Sequence, residues 1–193
     1  SKINLIITTK SDLVLRDLDL IKTFPSPLVS WSINTLDESF QKDMDKAVSI
    51  DRRIAAMKRC REEGIRTTCF ISPIFPEITN VFDIIEKIED FCDYIWLENL
   101  NLRGNFKAEI MEYIARKYPD LLPLYQQIYN KNDRTYWKIL DKTVADYAAR
   151  KGFLYVIDEE PAQRDGKARH HQLFLPFRDQ TVRKNQIRAC FLF

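Results

Sequence analysis

The stretch from Ser49 to Ile74, SIDRRIAAMKRCREEGIRTTCFISPI, decides the fold. Its first part sets Ile50, Ile54, Met57 and either Cys60 or Ala56 at helical spacing, and Gly64 follows the last turn as a C-terminal cap. β-branched and aromatic residues then take over, so Thr67 to Ile74 reads as a strand. A helix that stops at a glycine and continues directly as a strand is part of a β-α repeat.

Working outward, the same alternation recurs. Strand-like segments run Ile3 to Lys10, Pro27 to Thr35, Ile65 to Pro73 and Asp93 to Asn101, each followed by helical text, at intervals of roughly 25 to 35 residues. This predicts right-handed β-α units around a parallel sheet. Ser11 or Asp12 is placed to cap a helix carrying Leu13, Leu15, Leu18, Leu20 and Ile21 mostly on one broad face. Asp37 to Asp45 reads as a short charged helix or loop, and Thr79 or Asn80 is placed to cap a helix reaching Phe91. Helical text fills Lys107 to Lys117, Leu122 to Tyr129 and Thr135 to Arg150, the last ended by Gly152. Phe153 to Ile157 and Leu173 to Leu175 are candidate further strands, and Asp158 to His170 between them is a polar surface loop or disordered segment. The expected architecture is α/β, a parallel-sheet partial (β/α) barrel fragment. About four β-α units occupy residues 1–104. A helical C-terminal extension with one or two short strands follows over 105–193, continuous with the same domain.

Composition narrows the function classes. At 193 residues the chain holds one well-buried domain. No apolar run approaches the roughly 20 residues of a membrane span, so no membrane partner is expected. A net charge of +2 gives no basic field that argues for nucleic acid. The first residue is Ser rather than Met, with a strand beginning directly after it, which predicts a cut chain with Ser1 as a tag remnant. Cys60, Cys69, Cys92 and Cys190 show no C-x-x-C pair and no metal-like spacing with His170 and His171, so no metal ligands are expected among them. Scattered thiols in apolar text fit a reducing cytoplasm.

Chemistry in parallel α/β folds sits at the C-terminal ends of the strands. Those ends read TTKS (8–11), SINT (32–35), SPIFP (72–76) and ENLNLRG (98–104). Lys10 offers an ammonium to a carboxylate or phosphate, or it is a solvated strand-end lysine. Ser32, Asn34 and Thr35 supply groups that hydrogen-bond a polyol, or they serve turn and cap. Arg53, early in its helix, is able to grip a carboxylate, against the ordinary reading of a surface arginine. Ser72 to Pro76 forms a ledge against which a flat ring could stack, or simply a rigid turn. Glu98, Asn99, Asn101 and Arg103 crowd the fourth end, where carboxylate and guanidinium could orient one another. No catalytic triad, Gly-rich phosphate loop or H-E-x-x-H motif is present, and no catalytic residue is assigned.

In order and spacing, Thr9-Lys10-Ser11 with Arg16-Asp17, Val29 to Thr35, Arg53-Ile54-Ala55-Ala56 leading to Glu63-Gly64-Ile65, and Ile71 to Ile74 resemble the radical S-adenosylmethionine superfamily. The likeness is greatest to its spore photoproduct lyase-like group and covers roughly Ile3 to Arg103. It implies a partial barrel in which a [4Fe-4S] cluster binds and cleaves S-adenosylmethionine to start radical chemistry. By position, Lys10 and Arg53 would approach the methionine carboxylate, Ser32 and Asn34 the ribose or methionine end, and Ser72 to Ile74 the adenine. Glu98, Asn99, Asn101 and Arg103 would lie on the substrate side. The family's three-cysteine motif is absent, so this chain alone is not expected to hold the cluster or to be active. The resemblance therefore implies a missing N-terminal part of roughly 90 to 110 residues as partner, and a reductant protein for the parent. Two other readings remain: a cofactor-free α/β binding or interaction module anchored by Trp31, Trp96 and Trp137, and a metal-independent barrel enzyme using Lys10 as acid, base or Schiff-base residue.

Overall fold

The structure is a computed structural model that describes residues 3–158 and 190–191. Strands β1 (Ile6–Thr9), β2 (Leu28–Ser32), β3 (Arg66–Ile74), β4 (Tyr94–Asn99), β5 (Tyr155–Asp158) and β6 (Cys190–Phe191) form one sheet in the order β5-β4-β3-β2-β1-β6. Every pairing is parallel, as the β-α alternation predicts. The helices are α1 (Leu18–Ile21), α2 (Glu38–Met44), α3 (Ile50–Glu62), α4 (Val81–Ile88), α5 (Gly104–Lys117), α6 (Leu122–Tyr129) and α7 (Thr135–Lys151).

Alternation along the strands sorts side chains onto two faces. Val29, Trp31, Ile33, Cys69, Ile71, Ile95, Leu97 and Tyr155 share one core cluster with Ile54 and Met57 of α3, Ile84 and Ile85 of α4, and Trp137 and Val144 of α7. The opposite face carries Thr8, Ser30, Thr68 and Tyr94 in one register row, then Ser32, Phe70, Trp96 and Val156 in the next. A second apolar cluster, Phe40, Phe75, Leu100, Leu102, Ile110, Tyr113, Ile114 and Tyr125, joins α2, α5 and α6 to the segments that leave β3 and β4.

Local signals explain the boundaries. Ser49 Oγ accepts from the Arg52 amide at 3.4 Å to start α3, and Gly64, at φ +77°, supplies the left-handed turn into β3. Asp37 Oδ1 caps α2 through the Ser39 and Phe40 amides at 2.7 and 3.2 Å. Of the two candidate caps for α4, Asn80 makes the bond, to the Asp83 amide at 3.3 Å. Thr79 is used elsewhere: its hydroxyl accepts from the Phe75 amide at 2.9 Å and donates to the Asn34 carbonyl at 2.8 Å.

One expectation is corrected. The helix after β1 is a 3-10 turn over Leu13–Asp17 followed by the single turn α1, with no side-chain cap from Asp12. Arg52 takes the Asp12 carboxylate instead, and of the expected apolar face Leu13 and Leu20 stay 65% and 63% exposed. The outer edge of β1 pairs with β6 at Ile7 and Thr8. The strand expected at Leu173 to Leu175 lies outside the described residues, as does the Asp158 to His170 loop apart from Asp158, which ends β5.

Candidate functional site

The strand ends are tied together by one run of hydrogen bonds. Asp45, just past α2, is its origin. The Asp45 carboxylate accepts from Gln41 Nε2 at 2.7 Å, Arg53 Nη2 at 2.8 Å, the Ala47 amide at 3.0 Å and Lys10 Nζ at 3.1 Å. Burial alone would raise its pKa, but the bonds from Gln41, Lys10, Arg53 and the Ala47 amide outweigh this and lower it to about 2.

Arg53 projects from the second turn of α3 towards the end of β2. Its side chain is fully buried, which overturns the ordinary surface reading. The cause is the ring of acceptors around it: Nε donates to the Val48 carbonyl at 2.9 Å and Nη1 to the Ser32 carbonyl at 3.1 Å. Ser32 Oγ in turn donates to the Ser72 carbonyl at 3.2 Å, and Ser72 Oγ donates to Glu98 Oε2. The run thus crosses β2, β3 and β4 at their C-terminal ends. Lys10 joins it through Asp45, and its side chain is 44% exposed.

The other predicted residues are distributed around this line. Asn34 is buried and its backbone carbonyl holds Thr79. Ile74, 1% exposed, belongs to the helix-facing core and pairs in register with Asn99. Both border a cavity of about 160 Å³ against α7, with Trp137 and Val144 opposite. Asn101 and Arg103 are exposed and bond each other at 3.0 Å. Arg16 and Asp17 likewise pair on the surface at 2.9 Å.

One contributor is not signalled by the sequence. Asp45 is one carboxylate among several in Asp37 to Asp45, and nothing in the text separates it from Asp43. Phe70 and Trp96 meet edge to face on the polar side of the sheet, with centroids 6.2 Å apart. Trp96 Nε1 is buried there without a partner among the described residues.

The described residues do not suit an iron-sulfur cluster, which needs several thiolates. Cys60 and Cys69 are buried, and burial pushes Cys60 up to about 11, Cys92 up to about 12 and Cys69 well above an ordinary thiol. No group of three or more His, Cys, Asp or Glu able to hold a metal occurs among the described residues. At these strand ends Lys10 offers an accessible ammonium, while Ser32, Asn34 and Ser72 are buried. Among the described residues no helix is long and apolar enough to cross a membrane.

A parallel sheet with helices packed on one face and polar groups joined along its strand ends defines a partial (β/α) barrel. Residues 1–94, just under half of the chain, match the model of the Radical SAM superfamily. An uncharacterized protein of Methanocaldococcus jannaschii is 40% identical over 126 residues, covering 65% of this chain and 47% of that protein. An uncharacterized protein of Mycobacterium tuberculosis strain H37Rv is 23% identical over 174 residues, covering 84% of this chain and 51% of that protein. The chain spans about half the length of the curated relatives it matches. Streptococcus suis SuiB bound to S-adenosylmethionine shares the fold with TM-score 0.56 at 18% identity, over 84% of this chain and 34% of SuiB. This likeness is one of fold, and it agrees with the partial barrel expected from the β-α alternation.

Proposed function

We propose that this chain is the S-adenosylmethionine-holding part of a cytoplasmic radical S-adenosylmethionine enzyme related to the spore photoproduct lyase-like group. Its [4Fe-4S] cluster is bound by another part of the same polypeptide and reduced by a separate protein. When bound, cluster and S-adenosylmethionine together supply a 5'-deoxyadenosyl radical that abstracts a hydrogen atom from substrate.

In this reading the chain's own residues bind and orient. Lys10 presents its ammonium to the methionine carboxylate. Ser32 and Asn34 serve the ribose or methionine end. Ser72 and Pro73 face the adenine, and Ile74, packed under α7, supports them from below. Glu98, Asn99, Asn101 and Arg103 lie towards the substrate, with Glu98 fixed by Ser72. The observation that carries the reading is the bonded run from Asp45 through Arg53, Ser32 and Ser72 to Glu98, which sets three parallel strand ends beside one accessible cation. The Radical SAM match over residues 1–94 and the fold shared with S-adenosylmethionine-bound SuiB support it.

The test is anaerobic iron-sulfur reconstitution of this chain beside the full-length polypeptide, followed by visible absorption and 5'-deoxyadenosine release from S-adenosylmethionine. The expected result is cluster absorption and release from the full-length polypeptide alone. A full-length polypeptide without either would remove the radical reading.

A further inference from the structure

We infer that Asp45 is a positioning residue with two separable duties: it keeps Arg53 as a permanent partner that fixes the end of β2, and it surrenders Lys10 when a ligand carboxylate arrives. This rests on the S-adenosylmethionine-holding role proposed above, and it assigns a function to a carboxylate that lies outside the predicted ligand set.

The two cations on Asp45 differ in access. Arg53 is 0% exposed and donates to the Val48 and Ser32 carbonyls as well as to Asp45 Oδ1. Releasing it would leave a buried guanidinium and two carbonyls without partners, a cost no incoming anion readily offsets. Lys10 is 44% exposed and meets Asp45 Oδ2 through a single bond of 3.1 Å. An exposed lysine pair is weak and its flexible stem swings freely. Asp45 tolerates the loss of Lys10 because Gln41, the Ala47 amide and Arg53 still hold Oδ1. One oxygen therefore serves the framework and the other serves exchange. Arg53 acts on a ligand only through the Ser32 carbonyl, so its effect reaches whatever sits at the β2 end, carboxylate or not.

The experiment compares equilibrium binding of S-adenosylmethionine and of 5'-methylthioadenosine, which lacks the carboxylate, to the cluster-loaded full-length polypeptide. Lys10→Met, an exposed change that leaves the fold intact, is expected to weaken S-adenosylmethionine by about tenfold and methylthioadenosine by less than about twofold. Arg53→Lys is expected to weaken both ligands in parallel. Asp45→Asn is expected to raise the preference for S-adenosylmethionine over methylthioadenosine by about threefold or more, because Lys10 no longer leaves a carboxylate to reach the ligand. The ratio cancels any loosening of the β2 end common to both ligands. An Asp45→Asn preference that is unchanged or reduced, or an Arg53→Lys loss confined to S-adenosylmethionine, overturns the inference while leaving the S-adenosylmethionine role standing. Wild-type protein that binds neither ligand overturns both.

Discussion

The two faces of the sheet are built from the same strands and made for different work. Towards α3, α4 and α7 the strands present Val29, Trp31, Ile71, Ile95 and Leu97, all 2% exposed or less. The other side presents Ser30, Ser32, Thr68 and Ser72, equally hidden at 4–8% yet hydroxyl-bearing. Burial is thus shared, while hydroxyls gather on one side, where Phe70 and Trp96 also lie. The apolar side supplies the free energy of folding, and the polar side spends side chains on hydrogen bonds that hold strand ends in place.

Substitutions can break that comparison. Ile71→Ala, on the helix side, is expected to cost about 3–4 kcal/mol of unfolding free energy in urea titration, because a fully enclosed side chain leaves a cavity. Ser30→Ala, across the same sheet, is expected to cost about 1 kcal/mol or less. Equal losses would mean that both faces carry the core. Arg53→Met is expected to cost about 3 kcal/mol, since it removes the cation from a half-buried carboxylate and frees two carbonyls.

A smaller effect is read from pH. Asp45 titrates at about 2 in the folded chain against an ordinary value of 3.8, so its bonds stabilise the fold above about pH 4. That contribution, about 2 kcal/mol, is lost as pH falls through 2. Asp133, held at about 2 mainly by Thr135 and then Gln127, titrates in the same window, so the difference between wild type and Asp45→Asn isolates the Asp45 part. An unchanged acid limb in Asp45→Asn would count against the four-donor arrangement. The smallest effect belongs to Lys10→Met, expected within about 0.5 kcal/mol in the same titration because the pair is solvent-facing.

Sequence text made the architecture legible where each signal is local. Helical spacing in Ser49 to Glu63, the glycines at 64 and 152, and β-branched runs each act within a few residues, and α3, α7 and the four principal strands formed as read. What escaped the text depends on distant partners. The segment after β1 reads as one amphipathic helix, but Arg52 lies 40 positions away from the Asp12 it engages. Arg53 has an ordinary surface sequence context, and only the folded positions of Ser32, Asp45 and Val48 make it a core residue. Strand-end candidates such as Ser32, Ser72 and Glu98 were legible because parallel sheets put chemistry there. Their linkage was not, since strand register fixes which hydroxyl meets which carbonyl.

Thr79 gives the two loops beyond β2 and β3 a common clock. Its one hydroxyl accepts from the Phe75 amide within the loop after β3 and donates to the Asn34 carbonyl of the loop after β2, so the bond that closes one loop and the bond that ties it to the other meet at a single oxygen. Amide exchange at Phe75 should therefore follow the opening of the loop after β3, which also breaks the tie to Asn34. Thr79→Val, which keeps the shape and deletes both bonds, should uncouple them and quicken exchange at Phe75 first.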